Sequence, residues 1–385
     1  MNSAQKLTIQ LIRYEIAGIP VDTALMEEVN DDVIASVYRI ASEQELSYVV
    51  ANALSKLGLL SGDAKEAFFT EQLVTVYRLE MLRHELASIS QIFEDAGISF
   101  IPLKGSVIRN YYPKPEMRIS CDTDILIHPE DLERAGELLC SKLNYKFEHK
   151  GSHDVAYESE SGAELELHFR LFENDGIEKD ILDRVWDYAV PCDGYAYRLE
   201  LRPEFFVFYH IFHMAKHIRN GGCGLRPFLD LWIIENKFPY DKEKLSKLLC
   251  EAGLERFFEV AHKTAMMWYG TQESDDMTEL LEEYIFNAGI YGNFENMAAV
   301  SVVRSGGKVK ALMGRIFLPH KLLKHQFPVL EKYPVLTPFY EVKRWVRIIF
   351  KDKAKNQMEI ARHNNSLSDE KRQKMEKLVD YLGIR

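Results

Sequence analysis

Asp122, Asp124 and Glu166, with Gly105-Ser106 upstream, are the residues whose types and spacing suit metal-assisted phosphoryl transfer. In an extended strand, positions i and i+2 project from the same face, about 7 Å apart along the backbone. A strand over Asp122-Thr123-Asp124-Ile125-Leu126-Ile127 therefore presents both aspartates together and turns Thr123 and Ile125 to the other side. The run Glu164-Leu165-Glu166-Leu167-His168 alternates the same way, with Glu164, Glu166 and His168 on one face and Leu165, Leu167 and Phe169 toward a core. Carboxylates converging from two strands can hold two Mg²⁺ about 4 Å apart and clamp the attacking and leaving oxygens of an in-line displacement. Hard oxygen ligands suit that ion. An Asp-x-Asp pair alone is more often a solvated strand face, and a Gly-Ser after a strand is usually a turn; the order of the pieces carries more weight.

That order is strand, Gly-Ser, helix, strand with Asp-x-Asp, helix, then strands with carboxylates. Period-four apolar spacing through Phe68, Leu73, Leu82, Leu86, Ile89 and Ile92 predicts a helix from Ala64 to Ala96, stopped at Gly97. Ile98–Leu103 reads as a strand, Gly105–Tyr112 as a segment broken by Pro113 and Pro115, and Glu130–Leu143 as a helix opened by Pro129. β-like runs follow at 154–157, 164–169 and 195–201, with a helix near 177–188. After Pro203 the pattern is helical, with helices expected over 204–218, 225–236, 241–252 and 254–268. The expected organisation is an amino-terminal helical segment (1–90), a mixed α/β core (91–202) and a larger helical carboxyl-terminal part (203–385).

Composition bounds the classes. The 385 residues are 46% hydrophobic and 28% charged, which excludes disordered, collagen-like and disulfide-miniprotein chains. The longest strongly apolar stretch, Phe205–Ala215, is interrupted by His210 and His213 and is far short of the roughly 20 residues that span a bilayer. The amino-terminal residues mix charge with apolar side chains, unlike a secretory signal. Five scattered cysteines without a C-x-x-C pair suit a reducing compartment. The expected location is cytoplasmic.

In its motifs the chain resembles the DNA polymerase β-type nucleotidyltransferase superfamily. More narrowly, Leu103-Lys104-Gly105, Tyr112-Pro113, Arg118, Asp122-Thr123-Asp124-Ile125-Leu126 and Glu166-Leu167-His168 resemble the bacterial nucleotidyltransferase family of the NTP_transf_5 type, as does His213–Asp230 with Leu225-Arg226. The charged Lys104 before the glycine departs from the broad superfamily, where an apolar residue is common. The resemblance implies an α+β fold with a polymerase β-type mixed sheet, and Mg²⁺-dependent transfer of a nucleoside monophosphate from an NTP to an acceptor. Within it, Asp122 and Asp124 would bridge two metals, and Glu166 would bind the metal that activates the acceptor hydroxyl. Glu164 is the runner-up third acid.

The expected nucleotide contacts are Lys104, Gly105, Ser106, Arg118, His168, Lys216 and Arg226. Gly105 and Ser106 would offer backbone N–H groups and a hydroxyl to a phosphate, and the cations would counter the triphosphate. For Arg118 the competing role is a salt bridge, and for Arg226 an ion pair with Asp230 between helices. His210, His213 and His217 share a helix face, which is better explained as packed or cleft-lining than as a zinc site.

A small molecule or saccharide is the expected acceptor. A toxin-like transferase acting on tRNA or protein and a non-catalytic nucleotide-binding module are the alternatives. Charge is split: residues 301–385 carry 19 Lys and Arg against 8 Asp and Glu, leaving 29 against 51 in the first 300. The basic run Lys343–Lys351 mixes cations with aromatic and branched residues at helical spacing. It is expected to dock on the acidic body as an amphipathic helix, with an anionic lipid surface or RNA as its other possible partners.

Overall fold

The computed structural model describes residues 1–172, 178–289, 292–327, 329–350 and 353–384. The alternating runs form a five-stranded mixed sheet of β1 (Phe100–Pro102), β2 (Asp122–Ile127), β3 (Lys146–Lys150), β4 (Asp154–Glu158) and β5 (Glu164–His168), in the order β1-β2-β5-β4-β3. β2 and β5 are parallel, and every other neighbouring pair is antiparallel. Parallel neighbours need a long crossover, supplied here by helix Leu132–Leu143 and the β3–β4 hairpin. Their register sets Asp122 beside Glu164, Asp124 beside Glu166 and Leu126 beside His168. The α+β class and the mixed sheet agree with the sequence expectation.

Side-chain alternation divides the sheet into two unlike faces. Ile125, Ile127, Leu165 and Leu167 point into an apolar layer, where Ile89 and Phe93 of the long helix Gly62–Ala96 and Ala135 and Leu139 of helix Leu132–Leu143 cover them. The acids occupy the opposite face. The long helix ends at Gly97, whose φ of 67° lets the chain reverse into β1. β3 is a strand that the sequence pattern does not reveal, because all five of its residues are exposed and it has no apolar face to alternate. The expected run 195–201 is ordered as a strand only over Leu199–Leu201, paired with Ala189–Pro191.

Helices Pro203–Arg219 and Arg226–Lys237 face the acid-bearing side, and Lys242–Ala252 and Glu255–Tyr269 pack against them; each lies within two residues of its expected start and end. Their core is continuous with that of the amino-terminal helices: Leu11, Val49, Phe205, Phe208, Ile233, Trp268 and Leu382 belong to one buried cluster. Between the first two helices, Gly222 adopts φ 148°, and a Cβ there would stand 2.3 Å from that of Ala288. No helix among the described residues is long and apolar enough to cross a membrane.

The basic run lies on helix Thr337–Phe350; its last member Lys351, like Ile177 at the start of the expected 177–188 helix, falls outside the described residues. Among its described side chains, Phe339, Val342 and Val346 are exposed and not buried against the acidic body. The helix is held through polar atoms to the end of helix Lys308–Ile316: Arg344 donates to the Arg315 and Ile316 carbonyls, and the Trp345 indole donates to Ile316 at 2.8 Å. Polar anchoring left Val342 and Val346 in solvent. The final helix, Asp369–Leu382, reaches the acidic part instead, with Lys371 on Glu295 and Lys374 on Glu283.

Candidate active site

The acid-bearing face of the sheet and helices Pro203–Arg219 and Arg226–Lys237 enclose a cavity of about 350 Å³. Asp122, Asp124, Glu166 and His168 line its sheet side; Tyr209, His213, Lys216, Arg226 and Asp230 line its helical side. A strand period of two is sufficient to put the acids there. Glu166 is only half-buried and points into the cavity, whereas Glu164 is exposed and is not part of the lining.

Asp124 is the centre of the cluster. Its Oδ1 accepts from the Lys104 ammonium at 2.8 Å and lies 2.7 Å from His168 Nε2, which is in turn 3.3 Å from Glu166 Oε2. One ligand atom each from Asp124, Glu166 and His168 lies within 4.8 Å of the others. Burial opposes ionisation of Asp124, yet the Lys104 ammonium and the His168 hydrogen bond hold it well below the usual carboxylate range. The converse holds for Lys104: burial pushes it down, but Asp124 more than offsets this and raises it. His168 hydrogen bonding lowers Glu166. Burial lowers His168 itself, but its bonds to Asp124 and Glu166 raise it overall. Asp122 is the outlier, pushed up to about 6 by burial and the negative charge of Asp124. Burial and the neighbouring carboxylate thus disfavour the charged form of Asp122, and Lys104 and Arg226 offset this only in part.

Lys104 reaches Asp124 because of an uncommon backbone. Its φ is 46° and ψ −116°, a conformation that a side-chain-bearing residue adopts only when its surroundings impose it. The Leu103 N–H donates to the Asp124 carbonyl at 3.0 Å, pinning this turn to β2. Gly105 follows at the cavity wall, and a Cβ there would meet Arg118 Nη1 and Ser120 Oγ at 3.2 Å. Gly105 opens a helix of only four residues.

Ser106 does not join the lining: its hydroxyl donates to the Leu103 carbonyl at 2.6 Å, so the local turn uses the group expected to meet a phosphate. Arg118 borders the cavity, but its Nε is committed to Asp230 at 2.8 and 3.0 Å and its Nη1 to the Ile119 carbonyl at 2.7 Å. The salt-bridge role weighed for Arg118 is thus the observed one. The ion pair considered for Arg226 and Asp230 is made instead by Arg118 and Asp230, because Arg226 pairs with Glu45 and donates to the Ile119 carbonyl.

The three histidines line the cleft, with His210 bonded to the Pro227 carbonyl at 3.0 Å and His213 and His217 3.2 Å apart. Burial and the nearby Lys104 charge depress His213 far below its ordinary value. Lys216 lies on the same wall.

Three participants escape the sequence reading. Glu45, on the turn after helix Asp31–Glu43 at φ 52°, accepts from Arg226 and from the Cys121 thiol at 2.8 Å. It comes from a segment without any motif, and only an apolar-to-acidic break at Glu43-Gln44-Glu45 marks the place. Tyr209 faces the acids, and burial raises its hydroxyl to about 12, so it stays a neutral donor. His153, beside β4, brings its ring within 5.5 Å of His168. Replacing Glu45 by Ala strands the Arg226 guanidinium in a largely buried place and is expected to cost about 1–3 kcal/mol, measured as a lower urea midpoint; an unchanged midpoint would show that water replaces Glu45 without loss.

The family model described as uncharacterised nucleotidyltransferase matches residues 31–270, well over half of the chain, and the chain belongs to that family. Its general activity is transfer of nucleotidyl groups. The matched span contains Glu45, both acid-bearing strands and the two cleft helices, and ends before the basic segment. No curated protein and no solved structure matches the chain.

Proposed function

We propose that the chain transfers a nucleoside monophosphate from an NTP to a hydroxyl of a small molecule or saccharide, with Asp122, Asp124 and Glu166 as the catalytic acids. The observation that carries this reading is the convergence of those carboxylates in one cavity, across adjacent parallel strands, with Asp122 pushed up by burial and by Asp124. A new bond joins the acceptor oxygen to the α-phosphorus, the bond from that phosphorus to the bridging oxygen breaks, and pyrophosphate leaves. Glu166, ionised and on the open side of the cluster, receives the acceptor proton.

The donor set fits Mg²⁺: carboxylate oxygens from Asp122, Asp124 and Glu166 are hard ligands. The mutually close ligand atoms are those of Asp124, Glu166 and His168, with Asp122 in the same cavity lining, and a divalent cation would favour the ionised form of Asp122 that burial and Asp124 disfavour. When bound, Mg²⁺ would supply charge neutralisation to the triphosphate and polarise the phosphorus centre. His168 orients Asp124 and Glu166 by donating to both. Lys104 donates to Asp124 Oδ1, leaving other lone pairs of that carboxylate open, and keeps it ionised in a buried place. Gly105 lets the backbone approach the triphosphate, while Lys216 and Arg226 counter its charge from the helical wall; Arg118 acts through Asp230 to hold that wall against β2.

Incubation with Mg²⁺ and each α-labelled NTP, with and without cell extract, is expected to label an acceptor or release pyrophosphate with one preferred NTP. Chelation of divalent cations should abolish this, and so should the Asp122→Ala/Asp124→Ala double variant. Labelling that persists in the double variant overturns the site. A folded wild-type protein that neither binds nor consumes any NTP overturns the transferase reading.

A further inference from the structure

Of the 20 exposed large hydrophobic side chains in the described residues, 11 fall between Val309 and Met358. They form two stripes at helical spacing. On the segment leading into and along helix Thr337–Phe350, Val335, Phe339, Val342 and Val346 are 83%, 63%, 64% and 47% exposed. On helix Lys308–Ile316 and the residue after it, Val309, Met313 and Phe317 are 74%, 47% and 59% exposed. Spacings of three and four residues place Phe339, Val342 and Val346 on one helix face and Val309 and Met313 on another, with Val335 and Phe317 exposed at the adjoining ends.

The two helices are fastened where Phe317 emerges. Arg344 and Trp345 donate to the Ile316 carbonyl, and Glu341 accepts the Leu318 N–H at 2.6 Å. Beneath them Leu323, Phe327 and Leu330 make a small core distinct from the main one. The exposed stripes are therefore the outer surface of a packed unit.

Charge identifies what covers them. Residues 308–347 contain nine Lys and Arg against two Asp and Glu, and one of those acids, Glu341, is already paired with the buried Arg344. Lys332, Lys343 and Arg347 are exposed beside the apolar stripe. A second copy of the same face would bring like charges together, and although Phe317 and Phe339 could each stack on a base, Val309, Val335, Val342 and Val346 make most of the exposed surface aliphatic, which favours acyl chains over nucleic-acid bases. Apolar side chains flanked by cations, on a short amphipathic helix lying along a surface, match the acyl-headgroup boundary of an anionic bilayer.

We propose that helices Lys308–Ile316 and Thr337–Phe350 form a docking face for anionic phospholipid membranes, lying outside the catalytic cavity. The acidic first 300 residues are repelled by the same surface, so contact is confined to this face. The proposal stands independently of the transferase reading, because none of its residues lines the active-site cavity and all lie beyond the family match.

The test is cosedimentation of the full chain with vesicles of phosphatidylcholine alone or mixed with phosphatidylglycerol. Binding is expected only to the mixed vesicles and is expected to weaken with salt. Phe339→Asp/Val342→Asp and Lys343→Glu/Arg347→Glu should each lower partitioning by roughly tenfold or more with nucleotide binding unchanged; the first pair, exposed to solvent, should also leave the melting temperature unchanged, whereas Lys343 lies over the Phe327 and Tyr340 rings and its replacement lowers it slightly. No binding to anionic vesicles overturns the proposal. So does equal binding by the Phe339→Asp/Val342→Asp variant, a concentration-dependent dimer that this variant abolishes, or RNA binding that needs Lys343 and Arg347 but not Phe339 and Val342.

Discussion

Replacing Asp122 by Asn is expected to remove nucleotidyl transfer, by roughly a thousandfold or more, while making the metal-free protein more stable. The two effects share one cause. Asp122 faces Asp124 and Glu166 in a largely desolvated cavity, and its carboxyl is held near 6 by burial and by Asp124. A carboxyl whose native pKa exceeds its unfolded value binds extra protons in the native state. Its contribution is fully favourable below about pH 4 and is lost as pH rises through about 6. At neutral pH that loss amounts to up to about 3 kcal/mol, and Asn does not carry it. Thermal unfolding without divalent cations should give a higher midpoint for Asp122→Asn than for wild type at pH 7.5, and the difference should shrink near pH 4.5. Added Mg²⁺ should raise the wild-type midpoint and leave the variant nearly unmoved. A variant that is destabilised at neutral pH, or that retains transfer, refutes the view of Asp122 as a strained carboxylate kept for its charge.

The legible part of this protein is what local periodicity encodes. Alternation in Asp122–Ile127 and Glu164–His168 assigns each side chain to a sheet face before any coordinates are known, and the structure keeps those faces. Helical spacing after Pro203 finds four helices because each needs a wide apolar stripe to bury. β3 was missed because it buries nothing.

Charge pairing across the fold is a different matter. Arg118 and Asp230 are 112 positions apart, and Arg226 and Glu45 are 181. Which cation meets which acid depends on how the amino-terminal helices, the sheet and the cleft helices stack, and local spacing carries no trace of it. The same holds for Lys104: the sequence offers it as a counter-charge to a triphosphate, and its pairing with Asp124 depends on a backbone φ of 46° that local spacing does not announce. The exposure of Val342 and Val346 was hidden for the opposite reason. An amphipathic pattern specifies that one face is apolar but is silent on whether protein or something else covers it.

Asp230→Ala is expected to be the most destabilising single change near the cavity, at about 3–5 kcal/mol. Asp230 is 2% exposed, and its Oδ1 accepts from the Tyr112 hydroxyl at 2.7 Å and from Arg118 Nε at 2.8 Å. Burial alone would raise its carboxyl, but the Arg118 guanidinium lowers it, so the ion pair is formed in the native state. Truncation leaves a buried guanidinium with one remaining partner, the Ile119 carbonyl, and a buried tyrosine hydroxyl with none of its present ones. The pair joins the segment leading into β2 to helix Arg226–Lys237, so the loss also loosens the cavity wall. A double change, Arg118→Met with Asp230→Leu, removes both charges and fills their volume. Because paired burial of charge gains little over an apolar pair of like size, the double variant should be closer to wild type in urea midpoint than Asp230→Ala is. Tyr112→Phe, which removes one hydrogen bond and leaves the ion pair, should cost only about 1 kcal/mol. If Asp230→Ala and the double variant lose the same stability, the cost arises from lost packing and not from a stranded charge, and the account of Arg118 as a positioning residue that braces helix against sheet must be given up.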